Sequence, residues 1–112
     1  MERKIRERES GFDAGLVTQA RLFKALAHPA RLAILYYLAD ITSCMTGDIA
    51  DVLPLSRTTV NQHLKELRDA GLIKGTVEGA RKNYCLDARG MDLLSAETDN
   101  IVKRLKSASQ FC

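Results

Sequence analysis

The sequence predicts a mainly α-helical domain that carries one small β-hairpin. Apolar residues recur at helical spacing in several segments, which indicates amphipathic helices. Two short stretches between residues 72 and 86 have the composition of strands and are separated by a glycine-containing bend. With 112 residues, the chain is long enough for one domain with a modest core. We therefore expect a charged N-terminal arm at 1–12 and one domain at 13–112.

Cap and stop residues divide this domain into five helices and a two-stranded hairpin. Asp13, Thr46, Ser56 and Asp87 are predicted N-caps, because their side-chain oxygens can accept hydrogen bonds from the first N–H groups of a helix. Pro29 suits the first turn of the second helix, where an N–H would have no partner. The predicted helices are 13–27, 29–39, 46–53, 56–70 and 89–106, and the predicted strands are 72–77 and 82–86.

The first and last predicted helices carry apolar stripes at helical spacing, and the stripe of the last is spaced for packing against another helix. These stripes are Leu16, Ala20, Phe23 and Ala27 on the first helix, and Leu94, Ile101, Leu105 and Ala108 on the last. Aromatic residues make up only 5% of the chain. A small helical protein with so little aromatic mass often completes its core by dimerising.

Composition and charge narrow the class of protein. Hydrophobic residues make up 46% of the chain and charged residues 28%, which is typical of a soluble globular domain. The net charge of +3 is consistent with nucleic-acid binding. No apolar run approaches the ~20 residues that span a bilayer, and the N-terminal residues lack the apolar stretch of an export signal. We expect a cytoplasmic protein without membrane contact, whose cysteines are thiols by default.

The fourth predicted helix has one face for the core and another that suits DNA. Val60, Leu64 and Leu67 recur at core spacing. The other face can hydrogen-bond base edges or phosphates, and consists of Arg57, Thr58, Asn61, Gln62 and Lys65. Two short helices joined by a tight turn and followed by a hairpin form a winged helix-turn-helix, so we interpret this helix as the one that enters the major groove.

Individual roles follow from side-chain chemistry. Arg57 suits guanine, whereas Asn61 or Gln62 suits adenine. His63 is interpreted as a packing or phosphate-contacting residue, and the basic tip of the hairpin as a contact to the minor groove or backbone. The predicted DNA-binding residues are Ser56, Arg57, Thr58, Thr59, Asn61, Gln62, His63, Lys65, Arg81 and Lys82.

Two other classes of protein fit the sequence less well. An enzyme is not expected, because the chain has no phosphate loop and no Ser-His-Asp set at a supporting spacing. A winged helix that only contacts other proteins would leave the polar face of the fourth helix unexplained. The alternative for that face is a solvated surface without a partner.

Two segments resemble the ArsR/SmtB family of bacterial metal- and stress-responsive repressors. They read FKALAHPARLAIL at 23–35 and LSRTTVNQHLKEL at 55–67, the latter followed by AGLI at 70–73. The resemblance covers about residues 16 to 106. It implies a homodimer formed through the first and last helices, bound to an inverted-repeat operator in double-stranded DNA. It also implies repression of a promoter that an inducer relieves.

The sequence departs from the family at its metal-sensing positions. Arsenic and cadmium sensors of the family often carry Cys-x-Cys-Asp at the start of the third helix. Here Met45 and Gly47 stand at the two thiol positions before Asp48, and Cys44 is one place away. The last predicted helix contains no His, so we do not expect the zinc site of the family's zinc sensors.

The three cysteines offer a different sensing site. Winged helices often pair a short segment before the third helix with the second strand of the hairpin, which would make Cys44 and Cys85 cross-strand neighbours. The pair could bind trivalent arsenic or another soft metal ion, with Cys112 as a third thiolate. Alternatively, it could form a redox-switchable disulfide that senses an oxidant or a reactive sulfur species. The remaining alternatives are inert, buried thiols and a repressor without an inducer.

Overall fold

The computed structural model describes residues 11–77, 79 and 82–111. Most of the charged arm predicted at 1–12 lies outside these residues, as do Arg81 and Cys112. None of the helices within the described ranges is long and apolar enough to cross a bilayer.

Four α-helices, one 3-10 turn and three short strands make up the described part of the chain. In chain order they are α1 (Ala14–Leu26), α2 (Pro29–Ile41), β1 (Met45–Thr46), the 3-10 turn (Ile49–Asp51), α3 (Arg57–Asp69), β2 (Ile73–Thr76), β3 (Asn83–Leu86) and α4 (Ala88–Ser109). The prediction of a mainly helical domain with a small antiparallel sheet is confirmed. The prediction of five helices is wrong, because the third predicted helix is a single 3-10 turn.

Strand pairing explains why that third helix does not form. Thr46, its predicted N-cap, lies in β1 and pairs with Asn83. The strand ladder ends at Gly47, whose N–H still donates to the Lys82 carbonyl and whose φ of +100° favours glycine. Asp48 is the cap instead, and its Oδ1 accepts a hydrogen bond from the Ala50 N–H at 3.0 Å. Pro54 lies shortly after this cap and lacks an N–H for helical hydrogen bonding, so the segment forms no more than one turn.

The sheet has the strand order β1-β3-β2 and is antiparallel throughout. The expected pairing of a short segment before the third helix with the second hairpin strand is confirmed by Met45, which pairs with Tyr84. On its other side, β3 pairs with β2 from Ile73–Leu86 to Thr76–Asn83. Because β3 is the central strand, it is hydrogen-bonded to both neighbours, and a displacement of β1 or β2 acts on β3.

The core lies between α2, α3 and the sheet. Val60, Leu64 and Leu67 of α3 are fully buried, as predicted. The other fully buried large side chains are Ile34, Leu38, Ile49, Leu72, Ile73, Val77 and Tyr84. α1 packs on this core through residues outside its predicted stripe. Leu16 of the stripe is 52% exposed, whereas Leu22 and Ala25 are buried. The stripe predicted on this helix therefore points away from this core, and Ala20 and Ala27 are also exposed.

The end of α3 and the start of α4 meet at two glycines. Gly71 ends α3 with a φ of +80°, and its N–H bonds the Arg68 carbonyl while the Leu72 N–H bonds the Leu67 carbonyl. This hydrogen-bond pattern is a Schellman cap. Gly90 of α4 lies directly on the same turn, since a Cβ there would overlap the Gly71 carbonyl oxygen.

Two histidines and an arginine join α2 to α3. The Nδ1 of His28 caps α2 by accepting a hydrogen bond from the Ala30 N–H at 3.0 Å. The ring of His63 lies 4.2 Å from that of His28, centroid to centroid. His63 is 7% exposed, and its Nδ1 accepts a hydrogen bond from Arg31 Nε at 3.1 Å. Burial is the largest cause that lowers the pKa of His63, and electrostatic interactions with His28 and Arg31 lower it further despite nearby Glu66.

We predict that Gly90→Ala destabilises the protein, although Gly→Ala within a helix is normally favourable. The added methyl group must displace the Gly71 turn, which should cost about 1–3 kcal/mol in the free energy of unfolding. Urea denaturation measures this change. Ser95→Ala, at an exposed position of α4, is the control and should change stability little. Equal effects of the two substitutions would contradict the close contact.

We also predict that stability falls as the pH drops below about 6.5, the ordinary pKa of histidine. Because folding lowers the pKa of His63, the unfolded chain binds its proton more readily in that range. The loss continues until the pH passes below the pKa of His63 in the folded protein. In total it amounts to about 1.4 kcal/mol for each pH unit that separates the pKa values of the unfolded and folded states. The measurement is the free energy of unfolding at pH 7.5 and 5.5 for the wild type and His63→Gln. The variant should lose part of the pH dependence, and an unchanged dependence would contradict the assignment.

Candidate nucleic-acid interface

α3 begins at a well-formed cap that faces away from the core. Ser56 Oγ accepts a hydrogen bond from the Thr59 N–H at 3.2 Å and lies 3.0 Å from Thr59 Oγ1. This contact confirms Ser56 as the predicted N-cap. The first turn of α3 is exposed, so its N–H groups and positive dipole end point toward solvent. Such a helix start favours an anionic partner.

The polar face predicted for α3 divides into two parts. Thr58, Gln62 and Lys65 are exposed and point away from the core. Gln62 also lies next to Glu66, with its Nε2 donating to Glu66 Oε1 at 3.2 Å. Arg57 and Asn61 lie on the flank of α3 that faces the 3-10 turn and the sheet. Arg57 therefore makes polar contacts with Asp48 and Asp51, and Asn61 makes one with Lys82.

Two carboxylates hold the guanidinium of Arg57. Its Nε lies 3.1 Å from Asp48 Oδ2, and its Nη2 lies 3.7 Å from Asp51 Oδ1. The Arg57 side chain is nevertheless 72% exposed. Exposed ion pairs of this kind are weak, in the range of about 0–1 kcal/mol. DNA phosphates or a guanine edge can therefore compete for Arg57.

Lys82 is placed differently from the sequence prediction. As a basic residue of the hairpin tip, Lys82 is expected to contact the minor groove or the DNA backbone, but it is only 7% exposed. Its Nζ lies 2.6 Å from Asn61 Oδ1 and 3.3 Å from Asp48 Oδ2. A buried ammonium is costly unless it is paired and hydrogen-bonded, and these two oxygens satisfy that requirement.

Asp48 is the centre of this arrangement. Its carboxylate caps the 3-10 turn and contacts both Lys82 and Arg57. The hydrogen bond from the Ala50 N–H, followed by the contacts to Lys82 and Arg57, lowers the pKa of Asp48. In the sequence Asp48 stands out only as the acidic residue that follows the family's metal-sensing positions, and nothing in the sequence pattern pairs it with Lys82, 34 positions later.

The other predicted DNA-binding residues differ in how exposed they are. His63 is buried against His28 and Arg31, so the geometry favours its packing role over a phosphate contact. Thr59 is exposed, with its hydroxyl next to Ser56. Arg81 lies outside the described residues. The exposed candidates that remain within the described ranges are thus Ser56, Arg57, Thr58, Thr59, Gln62 and Lys65.

Cys44 and Cys85 form a disulfide that joins the segment before β1 to β3. Their Cα atoms are 4.3 Å apart, so the expectation that they are cross-strand neighbours is confirmed. The hydrogen bond from the Gly47 N–H to the Lys82 carbonyl sets the register of the ladder. Alternation from that pair puts the cysteines at a non-hydrogen-bonded position, where strands approach most closely. Beside the disulfide lies an open cavity of about 270 Å³, lined by Leu38, Ala39, Thr42, Ser43 and Leu86.

A groove separates the N-terminal half of α1 from the C-terminal half of α4. Gln19 Nε2 bridges the two helices by donating to the backbone oxygen of Glu97 at 3.3 Å and to its Oε2 at 3.2 Å. Leu16 and Leu105 line the groove and are 52% and 65% exposed. The groove has a volume of about 530 Å³. Leu16 of the stripe predicted on the first helix thus shares this groove with Ile101, Leu105 and Ala108 of the stripe predicted on the last, and the groove is open to solvent.

Comparison with known proteins agrees with this architecture. A family model described as a helix-turn-helix domain matches residues 26–76. The HTH-type transcriptional regulator CmtR of Mycobacterium tuberculosis is 45% identical over 67 residues, which are 60% of this chain and 56% of CmtR. The arsenical resistance operon repressor of Bacillus subtilis is 30% identical over 90 residues, which are 80% of this chain and 86% of that repressor.

A solved structure extends the similarity to three dimensions. The crystal structure of a possible transcriptional regulator for arsenical resistance superposes with a TM-score of 0.63 at 28% sequence identity. The match covers 78% of this chain and 94% of that one. The capped α3, the small sheet beside it and these relatives lead to one conclusion: the chain belongs to the ArsR/SmtB family of winged helix-turn-helix transcriptional regulators.

Proposed function

We propose that this protein is a non-enzymatic transcriptional repressor that binds an inverted-repeat operator and leaves it when a signal reaches Cys44 and Cys85. The observation that carries the proposal is the exposed, capped α3, which turns Thr58, Gln62 and Lys65 away from the core. A helix of this kind fits the major groove, which is wide enough for it. The disulfide supplies the site for the signal.

The proposed DNA contacts follow from the chemistry of α3. Ser56 and Thr59 lie at the N-terminus of the helix, where phosphate oxygens are favoured. Asn61, Gln62 and Lys65 suit base edges and phosphates, and Thr58 suits a thymine methyl group. Arg57 reaches DNA by exchanging its contacts with Asp48 and Asp51 for contacts with a guanine or a phosphate. Arg81 is proposed as a contact of the wing on sequence grounds alone.

A homodimer is proposed through α1 and α4. The groove between these two helices is lined by Leu16, Ile101 and Leu105. More than half of the surface is exposed at Leu16 and Leu105, and also at Val102 on α4. A second copy would cover these apolar surfaces, and a two-fold axis would place two α3 helices for the two halves of an inverted repeat.

The signal that the disulfide supports best is oxidation. In the reduced state the two thiols lie across a strand pair, and an oxidant such as a hydroperoxide can take two electrons from them. The two sulfurs then form one bond, while the hydroperoxide and the two thiol protons become an alcohol and water. Cys44 is exposed, so a small oxidant or reductant can reach its sulfur. We expect the oxidised form to bind the operator more weakly.

Trivalent arsenic is a second candidate signal, and the adjacent sulfurs favour it. Thiolates are the ligands that soft metal ions select, and a relative is an arsenical resistance operon repressor. The disulfide must be reduced before either sulfur can bind arsenic. Within the described residues, no group of three or more His, Cys, Asp or Glu side chains could hold a metal ion. A third thiolate from Cys112 is therefore proposed from the sequence alone.

We predict that the wild type binds a duplex from its own upstream region at least tenfold more tightly after dithiothreitol than after diamide. Cys44→Ser and Cys85→Ser should bind with the same affinity in both conditions, because neither can form the disulfide. Fluorescence anisotropy of the labelled duplex measures the affinity. Arsenite added to the reduced wild type distinguishes the two signals, since it releases DNA only if the thiolates bind it.

Different outcomes of this experiment contradict different parts of the proposal. If the wild type prefers no inverted repeat over a scrambled duplex, the assignment as a sequence-specific repressor is wrong. If the wild type binds specifically and Cys85→Ser responds to diamide as the wild type does, only the thiol signal is wrong. Specific binding should also weaken steeply as the salt concentration rises.

We predict that Leu105→Glu converts the dimer into a monomer, because it places a charge in the proposed apolar interface. Tyr36→Glu is the matched control, since Tyr36 on α2 is also 65% exposed but lies outside the groove. Size-exclusion chromatography with light scattering gives the molar mass of each variant. A dimer for both variants, or a monomer for both, would contradict the proposed interface.

A further inference from the structure

The contact between Lys82 and Asn61 determines how Asn61 is oriented. Lys82 Nζ lies 2.6 Å from Asn61 Oδ1. A lysine ammonium carries only donors, so the atom that faces it must be the amide oxygen and not the amide nitrogen. The NH₂ group of Asn61 therefore points away from Lys82. The orientation of this amide follows from the chemistry of its partner.

This orientation conflicts with the reading of adenine expected from the sequence. An asparagine that recognises adenine uses both ends of its amide, since Oδ1 accepts from N6 while Nδ2 donates to N7. In this protein Oδ1 already accepts a short hydrogen bond from a buried cation. Oδ1 keeps a second lone pair, but this oxygen is turned toward the buried ammonium, so the end of the amide left for DNA is Nδ2, a pure donor. Guanine presents two acceptors in the major groove, N7 and O6, and so matches a pure donor better than adenine does.

We propose that Lys82 is a specificity-determining positioning residue, which holds Asn61 as a hydrogen-bond donor and so directs it to guanine. Lys82 itself does not contact DNA in this proposal. The inference rests on the proposed function, because it requires α3 to lie in the major groove. It assigns to Lys82 a role opposite to that of an exposed wing lysine, which would contact phosphates of any sequence.

Several contacts hold Lys82 in this position. Its backbone oxygen accepts a hydrogen bond from the Gly47 N–H at 3.2 Å, which ties it to the β1–β3 ladder. Its ammonium lies 3.3 Å from the carboxylate of Asp48, which is itself held by the Ala50 N–H. Withdrawing the lysine toward a phosphate would leave the buried side of Asp48 without this partner, and breaking a buried pair in this way is strongly unfavourable.

The experiment measures operator binding by the wild type, Asn61→Ala and Lys82→Met, with each base pair of the operator replaced in turn by the other three. Asn61→Ala identifies the position that Asn61 reads, because the base preference there is lost. We expect the wild type to prefer guanine at that position. Lys82→Met frees Oδ1 of Asn61, so the ratio of guanine to adenine affinity should shift about tenfold toward adenine.

Three further measurements separate positioning from contact. The salt dependence of binding should be the same for Lys82→Met and the wild type, because no phosphate contact is lost. In the Asn61→Ala background, Lys82→Met should change the base preference no further. Lys82→Arg keeps a donor for Oδ1 and should restore the guanine preference. Lys74→Met, at an exposed position of β2, is the control for removing one positive charge.

Each contrary outcome overturns the proposal. A salt slope reduced by about one in Lys82→Met, with a uniform loss over all sequences, would mean that Lys82 contacts a phosphate. A wild-type preference for adenine at the Asn61 position would overturn it even if Lys82→Met did not fold. An unchanged base preference in Asn61→Ala would also overturn it. A wild type that binds no operator would instead refute the proposed function on which the inference rests.

Discussion

The buried charge of Lys82 is the constraint on which the arrangement of sheet, turn and α3 depends. A lysine ammonium in the interior requires an anion and acceptors around it, and here they come from separate parts of the chain. Asp48 contributes the carboxylate from the 3-10 turn, and Asn61 contributes an amide oxygen from α3. Because Lys82 immediately precedes β3, these contacts fix the position of α3 relative to the strands.

The disulfide and the ion pair lie at opposite ends of the β1–β3 ladder. Cys44 precedes β1 and Cys85 lies within β3, whereas Asp48 follows β1 and Lys82 precedes β3. The ladder between them is only two residue pairs long. A change in the covalent state at one end thus acts on strands whose other end holds the flank of α3 through Asp48. This short path is the physical basis for proposing that oxidation alters DNA binding.

The chain by itself leaves two helices incompletely packed. α1 buries only Leu22 and Ala25, and α4 buries only Gly90 among the residues that are described. Both helices nevertheless carry apolar residues along the groove between them. A single copy therefore leaves apolar surface in water, which is unfavourable at about 25 cal/mol for each Å². The homodimer that we propose removes this surface and explains why the stripes are present.

The sequence by itself determined the family, the hairpin and the inner face of α3, because periodic apolar residues act over a few positions. It also determined the N-caps Asp13, Ser56 and Asp87, whose side chains accept hydrogen bonds from N–H groups two or three positions later. It also predicted that Cys44 and Cys85 are neighbours, since strand pairing in winged helices follows a regular pattern. Only the tertiary structure decided the 3-10 turn, the direction of the α1 stripe and the burial of Lys82. These features depend on contacts between distant residues, such as Lys82 with Asn61 and Asp48, and a lysine near a hairpin tip has no local signal that distinguishes a buried position from an exposed one.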